Sequence, residues 1–247
     1  MIAAVVDGVP VTVAEVQERM RLLRGGPRGP LLPADGTTEG RQLRRWVVQI
    51  LVAERVVAAE AAARGVTALP GVPPLELDAT ARLELGSVVA AVLSGDPLAQ
   101  ALYRDLTADV TVSGTEVRRY FAANPDLYRL PPARLVTHWY DGRPVNGGRG
   151  YLVAAGELAG PVDRAVFAAP EGATVGPIER HTFTVGPHRP RVVAFEHAAP
   201  AIRAALLEAR RRRRFALWAD GRCARAVLMP GFEHPADIDN PDHTHRH

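Results

Sequence analysis

The sequence predicts an α+β protein, a helical domain joined to a small α/β domain, on three observations. Apolar residues recur at helical spacing from Gly40 to Gly65, as one face of a buried helix requires. Arg134 to Tyr140 is dense in β-branched and aromatic side chains and ends at Asp141-Gly142, the composition and punctuation of a strand. A glycine-rich turn and a short amphipathic stretch then separate that strand from a second β-rich run, Arg191 to Glu196.

Taken in order, Ile2 to Val6 and Val9 to Thr12 flank Asp7-Gly8 and predict two short strands around a tight turn. Thr12 with Glu15 has capping-box spacing and opens a helix. Arg24 to Gly40 carries Gly25, Gly26, Pro27, Gly29, Pro30, Pro33 and Gly36 and predicts a long loop or flap. Gly40 to Gly65 is the strongest helix, with Leu43, Trp46, Val47, Ile50, Leu51, Val57 and Ala58 as its apolar stripe, Trp46 and Ile50 expected in the core, and Gly65 as its stop. A break at Pro70 to Pro74 precedes a helix over Leu77 to Leu93 and another over Asp96 to Leu106. Ser113 and Glu116 form a second capping box, and that helix runs to Asn124-Pro125.

Beyond the strand at Arg134 to Tyr140, Gly147, Gly148 and Gly150 supply a turn. Gly156 to Ala169 predicts a short helix whose face is Leu158, Val162, Ala165 and Val166, broken at Glu171-Gly172. After the strand at Arg191 to Glu196, Pro200 to Ala226 predicts a long helix with Ile202, Leu206, Phe215, Trp218 and Val227 near one side.

With 247 residues and 47% hydrophobic side chains, the chain can fill one large or two modest cores. All 30 basic residues are arginine, which with abundant Ala, Val, Gly and Pro suggests a GC-rich bacterial coding sequence. The formal charge is only +3, and its basic excess is concentrated in Arg210 to Arg214. No aromatic interleaving or nucleic-acid motif accompanies that run, so it is expected to be the solvated face of a helix and no nucleic-acid partner is expected. The single Cys223 cannot close an internal disulfide. No stretch approaches the roughly 18 apolar residues of a membrane span, and no basic-then-apolar leader opens the chain, so no membrane association and a cytoplasmic location are expected. Phosphate loops, nucleophile elbows, zinc-protease helices and CxxC pairs are missing from the sequence.

Several segments resemble a known family. "GELAGPVDRAVFAAPEGATVGPI" resembles the parvulin signature of peptidyl-prolyl isomerases, "THWY" its first-strand histidine motif, and "GPHRPRVVAFE" its closing strand. "VVDGVPVTVAEVQERM" and "VTVSGTEVRRYFAANPDLYRLP" resemble the opening and the linker helix of SurA/PrsA-like multidomain parvulin foldases. The resemblance implies an N-terminal helical chaperone-like domain over 1–130, a shortened parvulin-like domain over 131–197, a C-terminal helix over 198–230 that returns to the helical domain with Trp218 near Trp46, and a tail over 231–247. It implies a histidine pair, His138 and His188, beneath the substrate. The family places about forty residues between the first strand and the glycine turn, where this chain has only Asp141 to Asn146, so Asp141 is the remaining candidate to face the prolyl bond. The aromatic floor of the proline pocket aligns with Val162. Substrate would rest on Tyr151, Leu158, Val162 and Phe167.

The tail holds His234, Asp237, Asp239, Asp242, His243, His245 and His247, competent ligands for a divalent transition metal such as Zn²⁺, Ni²⁺, Cu²⁺ or Fe²⁺. A metal there would be held by His243, His245 and His247 with Asp242 or His234; the alternative is a tail that orders on nothing. Two functions follow. One is a foldase or chaperone that binds an extended or proline-containing peptide client, with weak or no isomerase activity. The other is a small-molecule metabolic enzyme that reuses the scaffold, with metal held by the tail. A homodimer is compatible with either.

Overall fold

The computed structural model describes residues 1–68, 71, 73 and 75–233. The chain is mixed helix and sheet, and it divides into two compact units, residues 1–111 with 207–247, and residues 112–206. No helix among the described residues is long and apolar enough to cross a membrane.

In the first unit β1 (Ile2–Val6) and β2 (Val9–Thr12) form the expected hairpin, and β1 also pairs with β8 (Val227–Leu228). Thr12 and Glu15 complete a reciprocal capping box at the start of α1 (Val13–Gly25). Within the expected loop lies one short 3₁₀ turn, Gly29–Leu31. Helix α2 (Thr38–Arg64) begins two residues before the expected Gly40, capped by Thr37, and ends at Gly65 as anticipated. Arg19 grips Glu54 through two parallel 2.8 Å bonds and ties α1 to α2.

The helix expected over Leu77 to Leu93 is instead two, α3 (Ala79–Leu85) and α4 (Ser87–Gly95). Gly86 separates them at φ 75°, ψ 159°, a conformation essentially reserved for glycine, so the apolar period runs on while the helix axis does not. Helix α5 (Pro97–Leu106) follows, capped by Asp96. Helix α2 serves two apolar clusters. Ile50, Ala53 and Val57 face α4, α5 and Phe215, Ala216 and Ala219, while Val47, Val48, Val52 and Val56 face β1, β2, α1 and Phe232. Trp46 and Trp218 border both clusters.

The second unit opens with α6 (Gly114–Ala123), whose Ser113–Glu116 capping box is complete. The divide at Thr111/Val112 therefore groups this helix with the sheet, whereas the family resemblance places a boundary near Leu130. The sheet comprises β3 (Arg129–Tyr140), β4 (Arg143–Pro144), β5 (Tyr151–Ala154), β6 (Thr174–Ile178) and β7 (His181–Val192). All pairings are antiparallel, in the order β4-β3-β7-β6 with β5 also on β3. Helix α7 (Gly160–Ala168) covers one face, packing Val162 and Val166 against Val136, Val153, Phe183 and Val185.

Two sequence expectations are corrected here. The closing strand is not Arg191 to Glu196 but the longer β7, and Phe195 already belongs to α8 (Phe195–Cys223). That helix starts before Pro200, which lies inside it; proline is favoured at a helix start, which made Pro200 the natural boundary to expect. Residues of α8 through Leu206 belong to the second unit and those from Leu207 to the first.

Candidate functional site

Strand periodicity places Arg134, Val136, His138 and Tyr140 on one face of β3. The register sets Phe183 opposite His138 and His181 opposite Tyr140 on β7, and Tyr151 opposite Val136 on β5. His138 therefore has two diagonal neighbours, His181 and Tyr151, at the separation that rings can bridge. Nε2 of His138 lies 2.8 Å from Nδ1 of His181, and the Tyr151 hydroxyl lies 3.1 Å from Nδ1 of His138. The His138 ring also stacks on Phe183, centroids 4.3 Å apart.

His138 is 9% exposed. Burial, and then the neighbouring His181, hold its pKa below the ordinary 6.5, so the neutral ring is favoured. Burial also raises the Tyr151 hydroxyl, which stays protonated. A neutral ring carries one N–H, so the chain has two polarities. In one, Tyr151 donates to His138, His138 donates to His181, and the Nε2–H of His181 is left to meet a ligand acceptor. In the other, His181 donates to His138, His138 donates to Tyr151, and the phenol proton is left free.

The expected pair of His138 and His188 is not formed. His188 stands opposite Arg134, four residues along β3 from His138, or roughly 13 Å at a strand's rise. It is exposed, and its ring faces Phe167 at 5.9 Å. The partner that sequence reading missed is His181. Its signal was the alternation His181-x-Phe183-x-Val185, the mirror of Val136-x-His138-x-Tyr140 on the facing strand. Gly176 secures the placement: its φ is +111°, and a Cβ there would lie 2.4 Å from the carbonyl oxygen of His181. Only glycine lets β6 approach this closely.

Asp141 does not reach the histidines. It sits in the β3–β4 turn, where Arg180 donates to both carboxylate oxygens, one through a 2.9 Å bond from Nε. Arg180 also lies over the Tyr140 ring at 5.0 Å. Of the expected cradle, Tyr151 belongs to the hydrogen-bonded chain, and Leu158 and Phe167 are partly buried beside the sheet core. Val162 is 3% exposed and is a core residue with no surface to offer a ligand.

A second missed residue is Arg134. It is 1% exposed and donates from Nε to Gly186 O at 2.9 Å and from Nη1 to Val166 O and Ala169 O, each at 2.6 Å. The Val166 and Ala169 carbonyls close α7 and Gly186 belongs to β7, so the guanidinium pins the helix to the sheet. The expected metal ligands His234, Asp242, His243, His245 and His247 lie outside the described residues. Among the described residues no cluster of three or more His, Cys, Asp or Glu is placed to hold a metal.

Comparison with known proteins gives three findings. A model of a family of unknown function (DUF7158) matches residues 2–39, which span the first hairpin, α1 and the loop after it. No curated protein matches the chain. Among solved structures, two chains reported with the SurA-like chaperones PEB4 and Cj1289 of Campylobacter jejuni are similar, at 13% identity each. Their TM-scores are 0.41 and 0.36, over 92% and 93% of this chain and 99% of theirs.

Proposed function

We propose that the α/β unit is a parvulin-like module that binds an extended, proline-containing segment of a protein client, and that the protein works as a foldase or chaperone with weak or no isomerase activity. The observation that carries this reading is the Tyr151–His138–His181 chain, which sets polar ring atoms beside the apolar cluster to which Leu158 and Phe167 belong. Such a surface suits a peptide: apolar side chains rest on the half-buried residues, and the free ring N–H meets a backbone carbonyl. Weak turnover follows from Asp141 being tied to Arg180 and from Val162 standing where the family has an aromatic floor.

The test is a titration of the full chain with a tetrapeptide containing one X-Pro bond, followed by amide chemical shifts and, separately, by the isomerisation rate. Binding should perturb β3, β5 and the start of β7, and His138→Ala or His181→Ala should each weaken it about tenfold, the equivalent of one lost hydrogen bond to a ligand. His188→Ala should leave it unchanged. Binding that ignores both His138 and His181, or shifts that map elsewhere, would overturn the assignment.

A further inference from the structure

The first unit contains a cavity of about 570 Å³ that the peptide-binding reading does not use. Gln49 and Val52 of α2 form one wall, Leu85 and Val89 at the α3–α4 junction a second, and Asp220 and Cys223 of α8 the third. The volume lies in the range of small-molecule pockets, and the lining, mostly aliphatic with few polar groups, is of the same kind.

Two of the four polar side chains that line the cavity, Ser87 and Cys223, are already accounted for. The Ser87 hydroxyl at the rim faces Trp46 Nε1 at 3.2 Å. The Cys223 thiol is pushed up to about 11, by burial first and by Asp220 second, and so packs as a neutral apolar group. Two groups remain. The Gln49 amide nitrogen is buried and has no hydrogen-bond partner among the described residues. Asp220 is exposed, and its carboxylate has no hydrogen-bond or ion-pair partner among the described residues. The neighbouring Arg222 is turned to Glu60 instead. Asp220 also lies in the last turn of α8, at the negative end of the helix dipole. The mouth of this apolar cavity is therefore anionic and unneutralised.

We propose that the cavity binds a small amphiphile with an apolar body and a protonated amine, the amine seated on Asp220. The amine would make a charge-assisted hydrogen bond to the carboxylate while its apolar body rests on the aliphatic walls. A carboxylate of the same shape would be repelled by Asp220.

Cys223 is the only cysteine, so alkylation by N-ethylmaleimide reads occupancy of the cavity at a single site. The full chain would be alkylated at about pH 8.5, where an alkylamine is still protonated, with 4-phenylbutylamine, 4-phenylbutanol or 4-phenylbutyrate present. The amine should protect at about tenfold lower concentration than the alcohol, and the carboxylate should not protect. Asp220→Asn should bring amine and alcohol to within about twofold by lowering only the amine's affinity. Ala226→Phe should abolish protection by both; if that variant does not fold, the Asp220→Asn comparison decides alone. Protection by neither the amine nor the alcohol would overturn the site. Protection by the carboxylate equal to the amine's, or an amine advantage that survives Asp220→Asn, would overturn the ligand class.

Discussion

Replacing Arg134 with methionine should loosen the α/β unit more than any exchange of a surface arginine. The guanidinium is 1% exposed and serves three carbonyls, those of Val166, Ala169 and Gly186. Helix α7 ends at Ala168, and the last carbonyls of a helix have no partner within it. A cation at that end meets both the open acceptors and the negative end of the helix dipole. Methionine keeps the apolar stem and much of the volume, so the change isolates the three bonds. A hydrogen bond to a charged group contributes ~1.5–3 kcal/mol, but burying a guanidinium without a carboxylate partner offsets part of that. At ~1 kcal/mol net for each bond, Arg134→Met costs about 3 kcal/mol, a large share of the 5–15 kcal/mol that holds a typical domain together. Lysine, with its donors on one nitrogen, should recover only part of the loss. Urea titration combined with amide exchange resolved at α7 measures the effect, with the exposed Arg189→Met as control, expected within about 0.5 kcal/mol of the parent. An Arg134→Met chain with unchanged exchange in α7 and a loss under about 0.5 kcal/mol would refute the clamp.

Two further outcomes follow from the site. His138 has a folded pKa below its ordinary 6.5, through burial first and His181 second, so on acidification the unfolded chain takes up this proton before the folded one does. The stability due to the neutral ring is thus fully present above about pH 6.5 and is lost as pH falls toward the folded value. Urea midpoints of the α/β unit at about pH 7.5 and 5.5 should differ less in His138→Gln than in the parent; an equal difference in both would locate the titration elsewhere. Gly176→Ala should cost about 1–3 kcal/mol, because its φ of +111° is strained for alanine and the new Cβ meets the His181 carbonyl. It should also part the two imidazoles, visible as a change in their ring ¹⁵N shifts; unaltered shifts would show that Gly176 does not position His181.

How much of this was legible in the chain depends on the range of the interaction. Thr12 with Glu15 and Ser113 with Glu116 form their capping boxes as spaced, because both partners lie within one helical turn. The Asp7-Gly8 turn and the Gly65 stop are local for the same reason: each is a demand of one or two residues on their own dihedral angles. Gly86 shows the limit of periodicity, since a helix can break without interrupting the apolar pattern that α2 and α8 require of it.

The sequence by itself determined the α+β class, the two capping boxes, the Asp7-Gly8 turn and the place of His138 on a strand. Only the tertiary structure decided its partner. The β3–β7 ladder carries register shifts between Leu130 and Ala133 and between Arg134 and Val136, and each shift changes which β7 side chain stands beside a given β3 side chain. His181 and His188 both lie on β7, and the pairing of two strands, a property of neither alone, set one beside His138 and sent the other to Phe167. Arg134 was hidden for the same reason, because the carbonyls that make its burial favourable belong to α7 and β7, more than thirty residues away in sequence.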